Sequence, residues 1–329
     1  MGVAAMSDVA RLTRRSLGLG LAAAPLGVAR AAGFPDHPLR VVVPFPPGGS
    51  TDIVMRLAVP GMESLLGQPV VIDNRGGAGG TVGTTLVARA APDGYTLLAT
   101  ASTHVINPAV FHNLPYDAVR DFAPVALLAS SPFVLVVHPS LPVHTVRELI
   151  AYTQRHPAQL SYGSPGNGSG NQLGMEMLKA QTGIDILHVP YAGSAPATTA
   201  LLAGQVQVML APAVVAVSFI QSGQLRALAV SGLHALPTLP DVPTVAETLP
   251  GFDATTWYGV LAPAGTPTAV TAQLGAACSA AISTPNAKDK LLAQGVEASS
   301  MTTEVFAGHL ATELEKWSRV ARAAKVQLD

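Results

Sequence analysis

The residues of this chain best placed to do chemistry are short polar side chains set among glycines where strand-like runs end. The leading stretch is Pro44-Phe45-Pro46-Pro47-Gly48-Gly49-Ser50-Thr51-Asp52. The apolar, β-branched run Leu39-Arg40-Val41-Val42-Val43 before it reads as a buried strand, and Ile53, Val54, Leu57 and Ala58 after it recur at helical spacing. The prolines stiffen the exit from the strand, and Gly48-Gly49 let the backbone come close to a ligand. Ser50, Thr51 or Asp52 can cap the helix. A helix start offers unpaired N–H groups and partial positive charge, which suits an anion. The stretch alone is equally compatible with a tight strand–helix turn that holds no ligand.

Other chemistry has less to stand on. No Gly-x-Ser-x-Gly elbow, His-Glu-x-x-His, Walker loop or complete Gly-x-Gly-x-x-Gly occurs. The nine histidines are scattered, without metal spacing. His104 could serve as an acid or base, or as a structural or ligand-contacting histidine. Asp52 could be a base or a helix-start cap. Arg75 could meet an anion, or be an exposed arginine beside a Gly-rich turn. Asp117 and Asp121 lack the oxygen-rich loop of a calcium site. The single cysteine, Cys278, lies in an Ala-rich helical stretch and reads as a small core residue. One cysteine allows no intrachain disulfide. We expect no cofactor, no metal and no catalytic residue.

Alternating elements must position these turns. Strands are expected over 69–73 and 95–100, with a Gly-rich turn at 74–80, a helix over 81–91 and the polar turn Ala101-Ser102-Thr103-His104. From Phe133 the pattern restarts. Strands are expected over 133–138, 160–163, 186–189, 206–210 and 225–231, and helices over 146–155, through Met175, Leu178 and Lys179, and over 196–202. Ser164-Pro165-Gly166-Asn167-Gly168-Ser169-Gly170-Asn171 and Pro190-Tyr191-Ala192-Gly193-Ser194-Ala195 are the turns of this second unit. Strand, turn, helix and strand at this pitch predict βαβ units and a parallel sheet, with the post-strand turns along one edge. A strand near 257–261 and a helix opening at Thr266-Pro267 follow. The amphipathic helix 303–325 carries Val305, Phe306, Leu310, Leu314 and Trp317 and is expected to pack back on the first unit. Crossings near residues 130 and 252 would make a hinge.

The length of 329 residues suffices for two domains with real cores. Hydrophobic residues make up 49% and charged ones 12%, which excludes a disordered chain. The net charge of −1 gives no nucleic-acid surface. At the N-terminus, Arg11, Arg14 and Arg15 precede an apolar run from Leu17 to Ala29, and Ala29-Arg30-Ala31 fits a cleavage site. Residues 1–31 therefore read as an export signal, with the mature chain in the periplasm. Thr13-Arg14-Arg15-Ser16-Leu17 resembles a twin-arginine signal, and an ordinary secretory signal stays open.

Several segments together resemble the tripartite tricarboxylate transporter substrate-binding family, the Bug-type extracytoplasmic solute receptors. They are Val43-Pro-Phe-Pro-Pro-Gly-Gly-Ser-Thr-Asp52, Ala90-Ala-Pro-Asp-Gly-Tyr-Thr-Leu98, Leu114-Pro-Tyr-Asp117, His188-Val-Pro-Tyr-Ala-Gly-Ser-Ala-Pro196 and Leu239-Pro-Asp-Val-Pro-Thr-Val-Ala-Glu247. The resemblance implies an α/β, type II periplasmic binding protein fold. Its two lobes, with parallel-core sheets, would be 32–131 plus 252–329 and 132–251, closing like a flytrap on a small carboxylate. It implies delivery to the membrane permease subunits of a tripartite tricarboxylate transporter. A sensor module feeding a membrane signalling protein is the alternative, and a periplasmic enzyme a more distant one. The chain is expected to act as a monomer. By the same resemblance the ligand contacts are Gly48, Gly49, Ser50, Thr51, Asp52, Ser102, Thr103 and His104 from the first lobe. From the second they are Gly166, Asn167, Gly168, Ser169, Asn171, Tyr191, Gly193, Ser194 and Ala195. Amino-acid-binding relatives carry an Asp after the Val206 strand, where this chain has Met209-Leu210-Ala211-Pro212. Without that acidic partner for an ammonium, amino acids should bind poorly. Ala192, where relatives often have Lys, and Gly170-Asn171-Gln172 leave amide and backbone donors in place of formal charge.

Overall fold

The computed structural model describes residues 33–299, 301–324 and 326. The export signal expected over 1–31 lies outside the described residues. The first strands alternate with helices as the sequence pattern requires. β1 (Leu39–Val43) leads into α1 (Ser50–Leu66), β2 (Val70–Asn74), a short 3-10 turn (Ala78–Gly80) and α2 (Thr81–Ala88). β3 (Thr96–Ala101) and α3 (Thr103–Val110) follow. β1 lies between β2 and β3, parallel to both. Val41, Val42 and Val43 are fully buried, as an apolar run sheltered by crossover helices must be.

β4 (Phe122–Val137) is the longest strand. After it come α4 (Val146–Arg155), β5 (Ser161–Ser164), α5 (Gly170–Thr182), β6 (Leu187–Pro190), α6 (Ser194–Leu202), β7 (Val208–Pro212), α7 (Ala213–Gln221) and β8 (Arg226–Val230). The chain closes with β9 (Thr255–Pro263), α8 (Thr268–Ile282), α9 (Pro285–Leu292), β10 (Glu297–Ala298) and α10 (Thr303–Ala323).

The strands form one path, β2-β1-β3-β9-β4-β7-β5-β6, with β8 and β10 also paired to β4. The expected parallel sheet is present at both ends of this path, but its centre is antiparallel. β9 runs against β3 and β4, and β4 against β7 and β8. β9 enters this centre after β8 with only a 3-10 turn, Val245–Glu247, between them, so no crossover helix forces it parallel. β4 changes partners midway. Through Pro132 it pairs with β9; from Phe133 it pairs with β7 and β8. Ser231 stitches this point: its N–H donates to Phe133 O (2.9 Å), and its hydroxyl oxygen accepts from Phe133 N–H (2.8 Å) and donates to Ala254 O. The fold class is thus α/β with a curled, mixed sheet.

α10 packs on α3, β4 and α5, so it touches elements on both sides of residue 132 and not only those of the first βαβ run. Its buried stripe is Phe306, Leu310, Glu313, Trp317 and Ala321, at helical spacing. Burying Phe306 alone stabilises by roughly 1.5–3 kcal/mol. Val305 instead faces solvent, because it lies one residue, about 100°, off that stripe. Cys278 is buried.

Candidate functional site

Five helices begin around one small cavity of about 30 Å³. Gly49, Ser50 and Thr51 come from the start of α1, Ser102 and Thr103 from α3, Ser169, Gly170 and Asn171 from α5, Ser194 from α6 and Pro212 from α7. Phe45, Ala101, Phe133, Pro165 and Thr256 complete the wall. Among the described residues, no charged side chain and no histidine lines it. The first N–H groups of each helix have no intrahelical acceptor. In α1, α3, α6 and α7 no side chain caps them either. In α5 the Ser169 hydroxyl oxygen accepts only from the Gln172 N–H. The arrangement is a ring of main-chain donors and hydroxyls with partial positive charge, a geometry that takes up an anion.

The convergence follows from local sequence. Each helix directly follows a strand end, and parallel strands end on one side of a sheet. Small residues at the helix starts let the two sides approach. A Cβ at Gly193 would lie 2.9 Å from Pro46 Cδ, and one at Gly168 would lie 2.8 Å from Asn107 Oδ1. Beyond the cavity, sharing Phe45 and Pro165 with it, opens a chamber of about 310 Å³. Its walls include Gly77–Gly80 backbone, Phe111, Gly166, Asn167, Tyr191 and Ala192.

The expected contact residues therefore divide. Gly49, Ser50, Thr51, Ser102, Thr103, Ser169, Asn171 and Ser194 meet at the cavity, and Gly166, Asn167 and Tyr191 at the chamber. Gly48, Gly168, Gly193 and Ala195 line neither. Gly48 faces Ala195 across the gap, where a Cβ on it would lie 3.9 Å from the Ala195 Cβ, and these four serve the close approach. Asp52 is buried and spoken for: it accepts from Gly48 N–H (2.9 Å), Arg56 Nε (2.9 Å) and Asn74 Nδ2 (3.1 Å). Burial alone would raise its carboxyl; the bonds from Arg56, Gly48 and Asn74 outweigh burial and hold it below the ordinary value. It steadies the turn, while Gly49 holds the cap position itself.

His104 also departs from its expected place. The polar turn at 101–104 is in fact the first turn of α3, with Ser102 as its cap residue. There the imidazole points into the core, Nε2 donating to Ala118 O (2.8 Å), with Phe122 edge-on and Tyr116 stacked. Burial pushes its pKa down to about 4, against the Ala118 bond. The enclosed imidazole lines neither the cavity nor the chamber.

Thr256, Phe133 and Pro212 were not among the expected contacts. Ser102 Oγ lies 2.9 Å from Thr256 Oγ1, which joins β9 to the start of α3. Their signal was positional: Phe133 opens the strand expected from the sequence although it sits inside β4, Pro212 ends β7, and Thr256 precedes the apolar run of β9. Tyr258 shares the face of Thr256. Burial drives its phenol well above the ordinary pKa, with the Ser50 side chain pulling the other way.

Comparison with known proteins gives the family. Residues 54–326 match the family model described as the tripartite tricarboxylate transporter family receptor. Protein BugT of Bordetella pertussis is 34% identical over 323 residues, covering 96% of this chain and 99% of the relative. The solved structure described as R. palustris Rpa4515 with adipate superposes with a TM-score of 0.87 at 34% identity, covering 89% of this chain and 99% of that one. MatC from Rhodopseudomonas palustris with bound malate gives 0.84 at 37% identity, covering 87% and 99%. Segment resemblance, fold, cavity and comparisons converge: the chain belongs to the tripartite tricarboxylate transporter receptor family and is a Bug-type periplasmic solute-binding receptor.

Proposed function

We propose that this receptor captures a small carboxylate in the ring of helix starts, without making or breaking a bond in it, and hands it to a tripartite tricarboxylate-type membrane permease. The observation that carries the reading is the convergence of five helix N-termini, four without a side-chain cap, on a cavity with no charged wall. One such terminus contributes ~0.3–1 kcal/mol, or ~2 when partly buried. Five together span roughly 2–10 kcal/mol, the order of the ~8 kcal/mol that micromolar binding needs. The carboxylate contacts are the main-chain donors and hydroxyls of Gly49, Ser50, Thr51, Ser102, Thr103, Ser169, Asn171 and Ser194. The adipate and malate held by the two relatives support this class of ligand.

The rest of the ligand lies toward the outer chamber, among Phe45, Phe111 and Tyr191, where no charged side chain waits. That favours an uncharged or aromatic tail, or a second carboxylate held by N–H groups. An ammonium finds no acidic partner there, since β7 ends in Met209, Leu210, Ala211 and Pro212. The cavity's ~30 Å³ takes about two waters, so capture requires the two sides to part and close again. Residues 32–131 with 252–329 would form one lobe and 132–251 the other. The partner change in β4 at Pro132/Phe133 and the Ser231–Ala254 stitch support that hinge.

Calorimetric titration with adipate, malate, benzoate, aspartate and glutamate tests this. Micromolar binding of one of the first three is expected. Micromolar aspartate would end the uncharged-tail assignment, and no heat from any carboxylate at millimolar concentration would end the receptor assignment. Small-angle scattering should show contraction on adding the ligand that binds. Loss of its uptake on deletion of the gene would separate delivery from sensing.

A further inference from the structure

The loop between β5 and α5 supplies Pro165, Ser169, Gly170 and Asn171 to the cavity and Gly166 and Asn167 to the chamber. Behind it runs a hydrogen-bond relay whose side chains, Ser164, Gln172 and His188, have no part in either wall. The Gly168 N–H donates to Gln172 Oε1 (2.8 Å), and Gln172 Nε2 is 3.3 Å from His188 Nδ1. His188 Nε2 is 2.6 Å from Ser164 Oγ, which lies 3.1 Å from Gly166 O and 3.2 Å from Gly166 N.

Donor and acceptor counting assigns every proton in this relay. A main-chain N–H can only donate, so the Gln172 atom facing Gly168 is its oxygen, and the atom facing His188 is its NH₂. His188 Nδ1 must then accept, which leaves the proton on Nε2. Nε2–H donates to Ser164 Oγ. That oxygen also accepts the Gly166 N–H, so its single proton goes to Gly166 O. The close Ser164–His188 contact resembles a nucleophile and its base, but the direction is reversed: the imidazole gives its proton to the serine and cannot take one from it.

The ring is held in place from below. It stacks on Tyr162 with centroids 4.8 Å apart, and the Tyr162 hydroxyl donates to Glu176 Oε1 (2.7 Å). Lys179 Nζ bonds the same oxygen at 3.0 Å and lies 6.0 Å from the Tyr162 ring centroid. Tyr162, Glu176 and Lys179 are the titratable groups from β5 and α5 that surround it. A second proton on His188 would set Nδ1–H against the Gln172 NH₂, two donors facing.

We propose that His188, kept neutral as its Nε2–H tautomer, is the positioning residue that holds the 164–172 loop in ligand-ready shape without touching ligand. This rests on the carboxylate reading above. Burial of the ring, the largest influence on it, agrees by lowering its pKa to about 4.

The test uses the full chain, first without ligand. Long-range proton–nitrogen NMR should show the proton on His188 Nε2, unchanged from pH 8 to pH 5. Amide exchange at Gly166 and Gly168 should quicken roughly tenfold in His188→Leu, as one hydrogen bond of about 1.4 kcal/mol is lost. His188→Gln, whose Nε2 donor can still reach Ser164, should restore Gly166. Adipate affinity should follow the same order. A proton on Nδ1, titration near pH 6.5, or His188→Leu exchanging like the parent would overturn the proposal. If His188→Leu fails to fold, the tautomer and titration of the parent protein decide it. Should the tautomer stand while no carboxylate binds, the relay survives and the receptor assignment falls.

Discussion

Helix starts at the cavity and helix starts elsewhere are built differently. α4, α9 and α10 begin away from the cavity, and each carries a threonine cap: Thr145 oxygen accepts from Glu148 N–H, Thr284 from Ala287 N–H and Thr302 from Val305 N–H. α1, α3, α6 and α7 begin at the cavity, and none has a side-chain cap. α2 and α8 are uncapped although neither lines the cavity, and α5, at the cavity, is capped by Ser169, so a missing cap alone does not mark a site. What marks it is four uncapped starts facing one another. A cap satisfies a donor within the chain and is worth about 1 kcal/mol. Leaving it off forgoes that stability and keeps the N–H groups for an anion. The Asp52 carboxylate fits the same logic, because Arg56 pairs with its charge and Asn74 donates a hydrogen bond to it.

The sharpest way to break this contrast is to put a charge in the ring. Ser50→Asp sets a carboxylate in the first turn of α1. At ~4 Å and an effective dielectric of ~20, two like charges repel by ~4 kcal/mol, so adipate affinity should fall on the order of a thousandfold while melting temperature holds or rises. Affinity within tenfold of the parent would show that the ring is not where the anion lies.

Acid tests the same ends from the other side, since a cation is unwelcome at a helix start. His104, second residue of α3, is neutral when folded, with its pKa lowered from 6.5 to about 4. The unfolded chain takes up this proton first, so stability is complete above pH 6.5 and is lost as pH falls toward 4. At ~1.4 kcal/mol per unit the loss is about 3 kcal/mol. Urea unfolding of the parent and His104→Asn at pH 7 and 4.5 reads it; equal pH slopes in both would refute the assignment.

A close approach without a side chain is the next element. Gly193→Ala places a Cβ 2.9 Å from Pro46 Cδ at a φ of +134°. Such strain costs about 1–3 kcal/mol, and affinity should drop roughly ten- to hundredfold, more than stability does. Unchanged affinity would mean the two sides need not touch to hold ligand.

The smallest effects are the controls. Thr145→Ala, Thr284→Ala and Thr302→Ala should each cost about 1 kcal/mol of stability and leave adipate affinity within twofold. A change in affinity from any of them would blur the distinction between the two classes of helix start.

Much of the frame was readable because its signals are local. The Val41-Val42-Val43 run, the Gly48-Gly49 turn and the start of α1 lie within a dozen residues of one another, although the side-chain cap expected from Ser50, Thr51 or Asp52 does not form. The hinge proposed near 130 and 252 rests on the β4 partner change at Pro132/Phe133 and on the hydrogen bonds of Ser231 and Ala254. What stayed hidden lacked local period. α3 holds Pro108 inside eight residues. α7, Ala213–Gln221, is apolar nearly all round, so it shows no helical stripe. The first half of β4 went unread, since the strand was expected only from 133.

Residue types and spacing by themselves determined the strand-then-helix grammar of this protein, with glycines, serines and threonines at each junction, because backbone preference and hydrophobic period act over a few residues. Only the tertiary structure decided which junctions meet, that His104 turns inward, that Asp52 belongs to Arg56 and that Thr256 closes the ring with Ser102. Those outcomes depend on how distant strands pair and which side chains then compete for the same buried space, and no stretch of sequence contains both partners.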